Sequence, residues 1–201
     1  ARAGPRGLSA KPFPARRWRS AMRIVLASNN AKKLVELRAL LAGLDVQLVP
    51  QGELGIVEAE EPHGTFVENA LAKARHAARA AGCAAIADVS GLCVAALGGE
   101  PGVHSAIFAG ELPRVSPAAG EEREARRRAQ DAANNARLLE RLAAQPEGEA
   151  RSAHFTSTLV ALRHADDPEP LIATGRWPGL VLAAPRGAGG GPRGGGLRGD
   201  G

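Results

Sequence analysis

Apolar residues fall into short runs, and the polar breaks between them mark a chain that alternates strands with helices. Residues 23–27 are apolar from Ile24 onward and read as a buried strand. Leu34, Leu37 and Leu41 then recur at helical spacing, so the polar segment Ser28-Asn29-Asn30-Ala31-Lys32-Lys33 is a strand-to-helix loop whose Ser and Asn suit a helix cap. Residues 45–49 read as a second strand. Thr65-Phe66-Val67-Glu68 has the form of a capping box and opens a helix to about residue 81, with Leu71, Ala74 and Ala78 inward. The apolar run from Ala84 to Ala87 stops at Asp88-Val89-Ser90-Gly91. That reads either as a buried strand delivering polar groups to a cleft at its end or as a strand entering an ordinary turn. Residues 92–97, a turn over 98–102 and residues 103–106 follow.

Further on, residues 111–120 read as a mobile loop and 121–144 as a charged helix burying Ala132, Leu138, Leu139 and Leu142. Its Arg126-Arg127-Arg128 run reads as a solvated face. Residues 152–163 and 169–176 alternate as strands of a hairpin joined at Asp166-Asp167-Pro168. Trp177-Pro178-Gly179 is expected to turn into one more short strand, residues 180–184. The sum is an α/β chain, and its 201 residues suit one domain with a sizeable core.

Charge changes little in this picture. The net charge of +5 invites a nucleic-acid reading, but residues 1–21 hold six basic residues and no acidic one. Residues 22–184 hold 17 basic and 20 acidic residues, so the core is slightly acidic and nucleic acid is not an expected partner. No apolar run is long enough to span a membrane. Cys83 and Cys93 lack metal-site spacing and are too few for a disulfide framework, which fits a reducing cytoplasm. Residues 1–21 are expected to be a disordered leader, with the fold beginning at Met22, and an Arg-rich transit peptide is the other reading of that stretch. Residues 22–186 form the expected domain, and 187–201, rich in Gly, Arg and Pro, an expected disordered tail.

Candidate chemistry gathers at three places. The 28–33 loop aims a helix N-terminus and two lysines at one spot, which suits phosphate binding as well as it suits a plain capped helix start. Lys73 stands one turn from Asn69 and is within reach of the cleft expected at Lys33. Glu58, Glu60 and Glu61 form an acidic loop, either simply solvated or able to hold a divalent cation through carboxylate oxygens.

Four motifs in order carry a resemblance: Ser28-x-Asn30-x-x-Lys33, Thr65-Phe66-x-Glu68-Asn69-Ala70-x-x-Lys73-Ala74, Ala87-Asp88-x-Ser90-Gly91-Leu92, and Leu97-Gly98-Gly99-x-Pro101-Gly102-Val103-x-Ser105-Ala106. With Leu162-Arg163-His164-Ala165 and Trp177-Pro178-Gly179, the chain over about residues 22–190 resembles the bacterial inosine/xanthosine triphosphate pyrophosphatase family. The resemblance implies a two-lobed α/β fold around a long mixed sheet flanked by helices, and a homodimer. It implies Mg²⁺-dependent hydrolysis of deaminated purine nucleoside triphosphates (ITP, dITP, XTP) to the monophosphate and pyrophosphate, removing them from the nucleotide pool. By position, Ser28, Asn29, Asn30, Ala31, Lys32 and Lys33 would grip the triphosphate with Lys73 assisting. Glu60 or Glu61 would help to hold the metal, and Ser90 would contact substrate.

Two departures stand out. The family's central motif is Asp-Asp-Ser-Gly with the second Asp as metal-binding general base, and here that position is Val89. Asp88 remains, but neighbours on an extended strand face opposite ways. After Gly187-Ala188-Gly189-Gly190 the family continues with a Phe-Gly-Tyr-Asp-Pro strand and a later Ser-His-Arg segment, which recognise base and phosphate. This chain has Gly191-Pro192-Arg193-Gly194 instead, a break of the kind a reading-frame shift leaves. Impaired activity is therefore expected. The rivals are a related septum-inhibitor-type nucleotide pyrophosphatase and a catalytically dead remnant that binds nucleotide or RNA through its basic flanks.

Overall fold

The structure, a computed structural model, describes residues 21–112, 120–184 and 197–198, the last pair and residues 120–124 by backbone alone. The expected leader and nearly all of the expected tail lie outside the described residues, as does most of the expected mobile loop. β1 (Met22–Leu26), β2 (Val46–Pro50), β3 (Ala84–Val94), β4 (Ser152–Leu162), β5 (Leu171–Val181) and the two-residue β6 (Leu197–Arg198) form one mixed sheet in the order β2-β1-β3-β4-β5-β6. The helices α1 (Ala31–Leu40), α2 (Phe66–Ala81) and α3 (Gly120–Arg141) flank it. The expected α/β fold with a long mixed sheet is what the chain adopts.

β1 pairs in parallel with both β2 and β3, whereas β3, β4 and β5 pair antiparallel. β3 belongs to both halves. Its parallel pairing with β1 covers only Ala84–Ile86, and its antiparallel pairing with β4 runs from Ala85 to Val94. The strand therefore does not end at Asp88 as the apolar run implied. It continues through Asp88, Ser90 and Gly91 because β4 hydrogen-bonds it along its whole length, whatever the polarity of its side chains.

Side chains sort by the pleat. Ala85, Ala87 and Val89 join Val25 and Ala27 in a cluster against Ala70, Ala74, Ala77 and Ala78 of α2. Ile86 joins Ile24, Leu26 and Leu48 against Leu37 of α1 on the opposite face. The alanine stripe of α2 lets helix and sheet approach closely. Thr65 caps that helix by accepting from Glu68 N, and Gly82 ends it at φ 65°. A third cluster, Val94, Leu138, Leu142, Ala153 and Val181, seats α3 at the antiparallel end.

Two expectations are corrected, at Trp177-Pro178-Gly179 and at Ala132. β5 runs straight through Trp177-Pro178-Gly179 and no turn separates off a further strand. Pro178 is tolerated because β6 pairs only at Leu180 and Val181, so the described outer edge at Pro178 needs no donor. Residues 103–106 sit in a 3-10 helix, Gly102–Ile107. Ala132 is exposed, and the polar Asn134 takes the buried place. Asn134 donates to the carbonyls of Ser105 and Ala106 and accepts from Ala109 N, while Gln130 accepts from Leu112 N and Arg126 donates to Leu112 O. These side chains, four residues apart on α3, strap the segment 105–112 in place.

At the β4–β5 turn the buried Asp167 carboxylate accepts from the Arg163 guanidinium, from Arg163 N at 2.9 Å and from Glu169 N at 3.0 Å. The Arg163 guanidinium first, then its backbone N–H, holds this carboxyl well below the ordinary carboxylate value of 3.8, and the guanidinium is raised in turn. A carboxyl depressed in the folded state stabilises above its unfolded value, and that contribution is lost as pH falls through the folded one. Asp167→Asn is expected to lower Tm at pH 7, with a difference from the parent that shrinks as pH drops below about 4 in thermal melts.

Gly91 leads to another expectation. A Cβ there would collide with the Gly102 carbonyl oxygen and Ser105 Oγ and crowd Phe66, whereas Gly175 on β5 has no heavy atom within 4 Å of that position. Gly91→Ala is expected to cost about 2–3 kcal/mol and to lower Tm by roughly 4–10 °C. Gly175→Ala should change Tm little.

Candidate active site

β1 stops at Leu26, beside Ile86, and Ala27 N donates to Ile86 O at 2.8 Å. Beyond that point no described strand pairs in parallel with β3, and the chain turns into the 28–30 loop. Asn30 N donates to Ser28 Oγ at 3.1 Å. Asn30 Oδ1 then accepts from Lys32 N and Lys33 N and caps α1. Of the two expected caps Asn30 serves, while Ser28 holds the Asn30 N–H, and Lys33 is placed one turn into the helix, facing β3.

There Lys33 Nζ meets Asp88 Oδ2 at 2.6 Å and Ser90 Oγ at 3.5 Å. Asp88 Oδ1 accepts from Ser157 Oγ of β4 at 2.8 Å. Lys33, Asp88, Ser90 and Ser157 thus form one cluster on the α1 face of the sheet. Ser157 was not singled out from the sequence. In an alternating strand a serine looks like any solvated position, and only its place diagonal to Asp88 across β3–β4 gives it a partner.

Val89 faces the other way. It is buried at 4% exposure against α2, inside the apolar cluster. On that same flank Lys73 Nζ contacts Glu61 Oε1 at 2.6 Å. The structure therefore pairs Lys33 and Lys73 each with its own acid, one with a strand residue on the α1 face and one with the acidic loop beside α2.

The acidic loop is tied down on several sides. Asn69, fully buried, accepts from His63 N and donates to His63 O, both at 2.9 Å; His76 Nε2 donates to Val57 O at 2.9 Å; Asn29 Nδ2 donates to Glu58 Oε1 at 3.0 Å. Asn29, Asn30 and Ala31 also line an open cleft of about 410 Å³ against Pro50 and Gly52. It lies on the β2 side of the loop and takes in neither Lys33 nor Asp88. Ala31 and Lys32 are exposed at the helix start.

The residues present do not fit a protein-held Mg²⁺. Among the described residues no group of three or more His, Cys, Asp or Glu side chains is placed to hold a metal ion. Glu61 is engaged by Lys73 and Asp88 by Lys33 and Ser157, while position 89 offers only methyl groups. Glu60 is exposed, with no described partner.

Comparisons with known proteins bear on this geometry. The sequence model of the Ham1 family matches residues 24–192. The chain is 69% identical over 169 residues to a dITP/XTP pyrophosphatase of Methylibium petroleiphilum, covering 84% of this chain and 77% of that protein. It is 63% identical over 171 residues to one of Leptothrix cholodnii, with the same shares covered. Among solved structures, a HAM1 protein from Coxiella burnetii is similar at 39% identity and a TM-score of 0.71, over 88% of this chain and 79% of that one. The Staphylococcus aureus Ham1 protein is similar at 30% identity and a TM-score of 0.65, over 84% of this chain and 77% of that one. The chain belongs to the Ham1 family.

Proposed function

We propose that the chain binds deaminated purine nucleoside triphosphates of the dITP and XTP type in the cytoplasm and hydrolyses them to the monophosphate and pyrophosphate, at a rate held low by Val89. The observation that carries the reading is Lys33, set at the end of β1 beside a capped helix start and held by Asp88 at 2.6 Å. The names of relatives up to 69% identical support the substrate class.

In this reading a triphosphate approaches the N-terminus of α1, and its phosphate oxygens draw Lys33 off Asp88 and Lys73 off Glu61. The helix dipole and the two ammonium groups favour the negative charge. Water attacks the α-phosphorus, the bond to the bridging oxygen breaks, and pyrophosphate leaves with its charge facing the lysines. Among the described residues, β3 presents no acid at position 89 to orient and deprotonate that water. Val89 cannot accept a proton, and Asp88 leaves β3 on the opposite face from position 89, with Oδ1 held by Ser157. Loss of a general base lowers a rate by about 10²–10⁴-fold. A divalent cation would supply charge neutralisation on the phosphates, but the carboxylates present do not fit one. The homodimer belongs to the same proposal, and sedimentation equilibrium tests it.

Pyrophosphate release from dITP and XTP is the direct test. The unchanged chain is expected to be slow, Val89→Asp to raise kcat at least about tenfold if a general base is restored, and Lys33→Ala to weaken binding in both backgrounds. Fast turnover by the unchanged chain, with no gain from Val89→Asp, would show that another acid serves and that position 89 is not limiting.

A further inference from the structure

Four acids near the candidate site are already committed to partners within the protein. Glu58 accepts from Asn29, Glu68 from the Thr65 hydroxyl, Asp88 from Lys33 and Ser157, and Glu61 from Lys73. The Lys73 side chain is 15% exposed and its 2.6 Å contact with Glu61 is a charge-assisted hydrogen bond. A half-buried ammonium needs that partner; if Glu61 turned to a cation, Lys73 would lose it. The α2 face of β3 supplies no second carboxylate, because Ala87, Val89 and Gly91 are the residues that point there. Within the 58–61 loop, a Mg²⁺ ion bound through one or two carboxylates and the substrate phosphates would be left with Glu60.

We propose that the polyphosphate site of this chain works without a divalent cation: Glu61 is the resident counter-ion of Lys73, and a metal-free phosphate chain displaces it. The inference rests on the nucleotide reading above and specifies the form of its ligand. Two lysines and a helix N-terminus match the full negative charge of an uncomplexed triphosphate. Mg²⁺ on the phosphates removes two of those charges and offers the protein nothing in exchange. Glu61 then competes with the ligand for Lys73.

The test is equilibrium binding by titration calorimetry, with tripolyphosphate as a probe lacking a base and with ITP, each in EDTA and in excess Mg²⁺. Both ligands are expected to bind in EDTA and to bind more weakly in Mg²⁺. Glu61→Gln, an isosteric change at a half-exposed position, is expected to tighten binding in EDTA by about two- to five-fold, the size of a partly exposed ion pair removed from competition. Lys73→Ala should weaken it in the same buffer. Binding that appears only with Mg²⁺, or is at least about tenfold tighter with it, together with loss of that gain in Glu61→Gln, would overturn this inference and leave the nucleotide reading standing. Absence of binding to either ligand in either buffer would overturn both.

Discussion

In β3 the side chains of Ile86, Asp88 and Ser90 leave the sheet toward α1, and those of Ala87 and Val89 leave toward α2, because an extended chain repeats every two residues. β4 enforces that alternation by pairing every residue from Ala85 to Val94, so no local twist can swap one face for the other. The chemistry of the site follows from it. The α1 face receives an ion pair bracketed by two serines, and the α2 face receives a valine packed on alanines. A carboxylate one position along the strand is not a neighbour in space of the same groups.

The α2 face is held by closeness. Gly91 admits Gly102 and Ser105, whose hydroxyl donates to Gly102 O at 2.6 Å and accepts from Leu92 N at 2.8 Å. Asn134 grips the next carbonyls from α3. The antiparallel half thereby fixes the strand that carries Asp88 and Ser90, through hydrogen bonds that leave no slack for an added methyl group. At the other end of α3, the buried Arg151 closes the helix by donating to the carbonyls of Leu142 and Gln145.

Much of this was legible in the residues. The Asn30 cap, the Thr65 start of α2, the helical face of Leu34 and Leu37 and the opposed directions of Asp88 and Val89 all follow from local spacing, which the tertiary structure leaves intact. What was not legible depends on a partner distant in sequence. β3 outlasts its apolar run because of β4, and β5 passes through Pro178 because no described strand pairs with its outer edge there. Asn134 displaces Ala132 from the buried face because carbonyls at Ser105 and Ala106 need donors. Ser157 gains its role only from the register of two strands. The division of the two lysines between the faces of the sheet was hidden for the same reason, since sequence places Lys33 and Lys73 on helices but not on sides.

The double membership of β3 also orders events in time. Its parallel neighbour β1 precedes it, but β4 begins 58 residues after β3 ends, at Ser152. On a ribosome adding about 5–20 residues each second, that interval lasts roughly 3–12 seconds. During it the long strand has a strand partner only at Ala84–Ile86, and Val89 lies on a stretch that no strand pairs. A nascent chain in that condition is a substrate for chaperones and for edge-to-edge association with its neighbours on the same message.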